Sequence, residues 1–324
     1  SLPQTPGVIV IDLKVNDLAY DPQRDLIWTT IPNSEAANGD RLAAIDPATG
    51  NVVQTYPAGL NPNLIAIPED ASRVYYSAGA SPIGALSGFS RSPETVRVLY
   101  PASGEMGAEF PARPPASEST TRIGGLASLP GKPGSVAVLD YVSQSVGGGV
   151  YTSSLQVLRT FDEGVPLPNT PPEGTFSCSQ MVAAPSRLYC FAGVMYRFST
   201  ANTGVHLLDS FRLLPGRASF GPMAYAKGRV YTTGGLILDP EGKRNLARLE
   251  ASGPVAVSDG VVYWLEGGTY PGNRSTLRSF NADTLAPIGT REINVSTVPF
   301  GRLIHCGRGR LAFQAGKELY IVQP

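Results

Sequence analysis

The chain has 324 residues, of which 42% are hydrophobic, and its 26 Lys and Arg are balanced by 26 Asp and Glu. That balance excludes the long-range pull towards nucleic acid or an anionic membrane. No apolar run reaches the roughly 18 residues of a membrane helix, and the evenly spread apolar residues exclude a disordered chain. Charged residues are 16% of the total, with 36 Gly and 29 Pro, a composition that points to an all-β fold with tight turns. Length alone suggests about two domains, but one closed β array also fits.

In chain order, the first apolar stretch is Val8 to Val15 (VIVIDLKV), a strand with no partner nearby in sequence. From residue 16 a module recurs. Its clearest copy is Asn61 to Ser77, NPNLIAIPEDASRVYYS: an extended segment, a polar turn and a second extended segment. This is a hairpin signal, because Pro presets the turn while Asp and Ser bond their own backbone. Second strands of the same form are LIWTTI (26–31), RVYYSAG (73–79), SVAVLDYV (135–142), RLYCFAG (187–193), RVYTTGG (229–235), VVYWLEGG (261–268) and RLAFQAG (310–316). Their spacing averages about 46 residues, the length of a four-stranded propeller blade.

Third and fourth strands are visible in RLAAIDPATGNVVQTY (41–56), YRFSTANTGVHLLDSF (196–211), LILDPEGKRNLARLEA (236–251) and LRSFNADTLAPIGTREI (277–293). The last unit has only three strands after Phe300. Residues 8–15, docked as its outer strand, close the array and remove an exposed edge. The expectation is a seven-bladed β-propeller of four-stranded antiparallel blades, one domain over 1–324, with helix nearly absent.

Long second-to-third-strand loops are expected at 32–40, 78–86, 143–153 and 267–275, with long inter-blade linkers at 101–121 and 163–175. Long loops on a rigid scaffold are where binding usually sits. The first residues of the innermost strands, Asp17, Asn63, Arg122, Gln180 and Arg302, are the candidate ligand-binding set, a polar funnel for a small anionic or amide ligand.

The hairpin IPEDAS-RVYYSAG, with IDPATGNVV in the preceding unit, resembles the YVTN-type repeat of bacterial and archaeal extracytoplasmic propellers. The resemblance covers residues 16–80. Elsewhere the repeat is degenerate, with Leu and Phe at the aromatic or Val positions and the closing Thr-Asn absent. It implies the propeller fold and an exported setting. Such repeats accompany adhesion, surface-layer and scaffold roles as well as a few enzymes, so they leave activity open.

Cys178, Cys190 and Cys306 lack the paired spacings of zinc or redox sites. Cys178 and Cys190 flank one predicted hairpin turn, where either a disulfide between neighbouring strands or two small buried side chains would fit. His206 and His305 are the only histidines. His206 lies in an outer strand, and His305, in an innermost strand, is the one candidate catalytic base. No nucleophile elbow, metal-ligand cluster or phosphate-loop context is present, so no cofactor or metal is expected; the Gly147-Gly148-Gly149 tract opens no helix. Asn273 and Asn294 begin glycosylation-type tripeptides.

The leading reading is an exported, non-catalytic binding or scaffold propeller, extracellular, at the cell surface or periplasmic. Its partner is a protein or surface polymer held by the loop-rich face. The alternative is a periplasmic propeller enzyme of lyase or lactonase type, with His305, Arg302 and Asp17 in its channel. A start at Ser1 without Met or a leader fits a mature exported chain, a trimmed one, or a module of a longer protein.

Overall fold

A computed structural model describes residues 5–35, 39–79, 94–113, 120–146, 150–178, 180–212, 221–267 and 274–324. These residues form seven four-stranded antiparallel sheets, the blades of a seven-bladed β-propeller, and no helix. The N-terminal strand is β1 (Val8–Ile11). Blade 1 is β2 (Asp17–Asp21), β3 (Leu26–Ile31), β4 (Arg41–Ile45) and β5 (Val52–Pro57). β6 (Ile65–Ala66), β7 (Val74–Ala78), β8 (Thr95–Tyr100) and β9 (Glu105–Pro111) make blade 2. In blade 3 the strands are β10 (Thr120–Leu129), β11 (Lys132–Val146), β12 (Val150–Asp162) and the short β13 (Val165–Pro166). Blade 4 comprises β14 (Gln180–Ala184), β15 (Arg187–Phe191), β16 (Val194–Ala201) and β17 (Gly204–Arg212). β18 (Ala224–Ala226), β19 (Arg229–Tyr231), β20 (Leu236–Asp239) and β21 (Arg244–Arg248) form blade 5. Blade 6 runs through β22 (Val255–Ser258), β23 (Val261–Glu266), β24 (Arg274–Asn281) and β25 (Pro287–Asn294). The last blade is β26 (Phe300–His305), β27 (Leu311–Ala315) and β28 (Glu318–Val322), completed by β1.

By packing, the chain divides into two compact units. One is residues 1–29, 43–55 and 211–324, and the other is 30–42 and 56–210.

In the first unit, β1 pairs antiparallel with β28, Val8 opposite Val322 and Ile11 opposite Leu319. The strand covers only the first half of the expected 8–15. Beyond Ile11 the chain turns to bury Leu13 and Val15 at 4% and 1% exposure, so those apolar side chains serve the core. Arg291 of β25 clasps this junction, its guanidinium bonding the carbonyls of Pro6 and Gln323. The Gln323 amide bonds the Gly7 carbonyl at 3.0 Å, and the Asn294 amide bonds Thr5 Oγ1 at 3.1 Å. Between blades 5 and 6, Trp264 meets Tyr231 and Phe280 edge-on and donates its indole N–H to the Thr232 carbonyl at 3.0 Å.

In the second unit, β11 shows why both faces of a blade strand are apolar. Val136 and Val138 pack with Val96, Val98 and Phe110 of blade 2, while Ala137 and Leu139 pack with Leu188 and Phe198 of blade 4. Side chains alternate across a strand, so a sheet held between two others needs an apolar set on each side.

Three expected connections contain strands instead; in 163–175 it is β13, the outer strand of blade 3. The 101–121 linker contains β9, the outer strand of blade 2, which pairs with β8 from Thr95–Pro111 to Tyr100–Glu105. The 143–153 loop is mostly ladder: Ser143 pairs with Ser154 and Val146 with Val150, leaving 147–149 outside the described residues. Residues 36–38, 80–86, 114–119 and 268–273 of the predicted loops and linkers, Asn273 among them, also lie outside them.

Candidate functional site

In the first unit, Asp17 opens β2 and Arg302 lies in β26. The Asp17 carboxylate is 6% exposed; its Oδ1 accepts from the Leu18 amide at 2.9 Å and lies 3.4 Å from Arg302 Nε. Two of the candidate ligand-binding residues are thus brought together and offset each other's charge. They link the innermost strands of the first and last blades.

The second unit holds the other three. Asn63 is fixed by its backbone: its amide bonds the Ser77 carbonyl at 2.8 Å and its carbonyl accepts from Thr30 Oγ1 at 2.5 Å. Gln180 opens β14 and is 5% exposed. Arg122, in β10, is an exposed residue. It has a neighbour that sequence reasoning missed.

Glu94, immediately before β8, is 2% exposed, and its Oε2 accepts the Ile123 amide at 2.5 Å. Its Oε1 is buried with no hydrogen-bond partner. Burial pushes this carboxyl up to about 7, against the pull of the Ile123 hydrogen bond and the Arg122 charge. One signal was available in sequence: Glu94 directly precedes the apolar, β-branched run TVRVLY, where a buried strand is expected.

Alongside, Tyr141 donates its hydroxyl to the Cys178 carbonyl at 2.7 Å, and Gln156 Oε1 accepts the Cys178 amide. Cys178 is joined to Cys190, 12 positions further along the chain, by a disulfide with Cα atoms 5.4 Å apart. The chain approaching blade 4 is therefore anchored to β15 just before Gln180. Further out, Asp140 is buried between Arg113 Nε at 3.3 Å and Arg159 Nη1 at 3.6 Å, and Arg113 also meets Glu173 at 2.8 Å. Burial raises the Asp140 carboxyl despite both arginines.

His305 ends β26, three residues on from Arg302 and so about 10 Å along the strand. Its ring lies edge-on to Tyr20, and its buried Nε2 is 3.9 Å from Asp259 Oδ2 without a hydrogen bond. Burial lowers its proton affinity, against the attraction of Asp259 and with help from Arg310. Tyr20 donates to Asp25 at 3.0 Å and is pushed up to about 12 by burial and that bond. Cys306 is buried and its thiol is likewise raised to about 12, chiefly by desolvation. His206 is exposed in β17 and accepts from Asn169 Nδ2 at 2.9 Å. Among the described residues no three His, Cys, Asp or Glu side chains cluster as metal ligands, and no helix is long and apolar enough to cross a membrane.

No protein-family model matches the sequence, and comparison with curated proteins finds no match. Solved structures do match. A chain in the crystal structure of the mitotic checkpoint complex is 10% identical with a TM-score of 0.62, over 99% of this chain and 93% of that one. The computationally designed Ika8 protein is 12% identical with a TM-score of 0.55, over 96% of each chain. BamB from Moraxella catarrhalis is 12% identical with a TM-score of 0.52, over 99% of this chain and 97% of that one. At such identities the likeness is one of fold, the β-propeller.

Proposed function

We propose that the chain is an exported binding or scaffold propeller, a single domain serving as a subunit of a cell-surface or extracellular assembly. The observation that carries this reading is blade 3. Its three inner strands run for 10, 15 and 13 residues, against about 5 or 6 for an ordinary strand. The β11–β12 hairpin is thus a long ribbon, a shape suited to holding a partner. It stands beside the exposed Arg122, which suits a partner with carboxylate or other anionic groups. The propeller in the mitotic checkpoint complex is an instance of such a fold working inside an assembly.

The Cys178–Cys190 disulfide favours an oxidising compartment, and hence export. The YVTN-like hairpin at 61–77 agrees with that setting.

The test is cross-linking and affinity capture from the source's envelope and secreted fractions. The intact chain is compared with a variant in which 143–153 is replaced by a two-residue turn. A partner retained by the intact chain and lost by the trimmed one is the expected result. Equal recovery by both, with both folded, refutes the blade 3 reading, and reduced cysteines in the native protein refute export.

A further inference from the structure

We propose that Glu94 is a proton-operated latch between blades 2 and 3: neutral, it holds the Ile123 amide of β10, and ionised, it releases that amide. The geometry is that of a group built to be neutral. The side chain reaches across from the residue just before β8 to a backbone N–H of the neighbouring blade, and both residues are almost fully buried, at 2% and 1% exposure. Only one of its two oxygens is bonded. The other is sealed from solvent without a partner.

A neutral carboxyl tolerates that arrangement at modest cost. A carboxylate does not, because a buried charge needs several hydrogen bonds or a close counter-charge. Among the described residues, the surrounding ionisable groups do not supply one. Arg122 on β10 acts on Glu94, but it is exposed and water-screened. Asp140 on β11 is held by Arg113 and Arg159, and Arg97 on β8 is paired with Glu109 on β9 at 3.0 Å. Tyr141 on β11 stays protonated, its hydroxyl engaged with Cys178 and its proton held more tightly through burial. Ionisation near neutral pH therefore drives the carboxylate towards water and frees the Ile123 amide.

Release changes the local backbone and with it the aim of the neighbouring Arg122. The device does not depend on the binding role proposed above.

The experiment is amide hydrogen exchange at Ile123 between pH 5.5 and 8.5, corrected for intrinsic base catalysis, in the full chain and in Glu94→Gln. The Gln side chain offers the same acceptor oxygen and does not titrate. In the native chain, protection falls by about tenfold or more across this range, with a midpoint near 7; in Glu94→Gln it stays flat and high. Carboxyl-carbon NMR titration of Glu94 in the native chain is the second measurement, and it decides the matter if the variant misfolds. Flat protection in the native chain, the same midpoint in Glu94→Gln, or a Glu94 titration midpoint below 5 each overturns the latch.

Discussion

Two buried carboxylates hold two blade junctions, and they do so differently. At the junction of blades 7 and 1, Asp17 lies 3.4 Å from a guanidinium and bonds its neighbour's amide. At the junction of blades 2 and 3, Glu94 has one amide bond and a bare oxygen. The first is balanced in its ionised form and the second in its neutral form. What separates them is the placement of one arginine: Arg302 is half-buried against its partner, whereas Arg122 reaches into solvent.

The largest effect expected from this difference is on pH-dependent stability. Glu94 rises from 4.5 to about 7 on folding. The folded state therefore holds a proton that the unfolded chain has lost, and stability falls as pH rises between those values. The loss is about 3 kcal/mol, complete above the folded value. Denaturant titrations from pH 4 to 8.5 on the native chain and Glu94→Gln should differ by this pH-dependent amount. Parallel curves would erase the contrast. Next in size is Asp17→Leu, which removes the carboxylate beside the Arg302 guanidinium and should cost about 2 kcal/mol with little pH dependence above 5. A pH-dependent loss there would show that the two junctions share one mechanism.

Smaller effects sharpen the comparison at its margins. Tyr141→Phe removes the bond to the Cys178 carbonyl and should cost about 1 kcal/mol in equilibrium unfolding. It should leave the Glu94 midpoint unmoved, since Tyr141 does not act on that carboxyl. Arg291→Ala removes the clasp on Pro6 and Gln323. It should cost about 1 kcal/mol and raise exchange in β1 without affecting Ile123. Exchange that rises equally in both places would mean that the two junctions open together.

Much of the fold was legible because a hairpin with an apolar strand, a Pro/Asp turn and an aromatic strand recurs wherever one blade packs on the next. The misread stretches have a common cause. β9 (EMGAEFP) is an outer strand exposed on most of its residues, so it carries neither alternation nor an apolar run. The 141–155 hairpin is rich in Ser and Gly, which reads as loop until the ladder from Ser143–Ser154 to Val146–Val150 is seen.

The candidate site was legible only in part. Asp17 and Arg302 were named for heading innermost strands, but their pairing depends on the first and last blades meeting across 285 residues of chain. Glu94 was missed because the run TVRVLY after it marks a strand without telling whether the Glu that leads it is buried or solvated. Its burial is a property of the neighbouring blade.

The pairing of Val8–Ile11 with Glu318–Val322 also sets a timetable. During synthesis the N-terminal strand leaves the ribosome some 300 residues before the strand it must sit beside. Until Glu318–Val322 emerges, four apolar residues wait without their mate, and this sheet is the last of the seven to be assembled. Contacts this distant in sequence are slow to form. A cell making this protein must therefore shield that waiting segment, and crowding of nascent chains is expected to cause exchange of the N-terminal strand between molecules before any other failure.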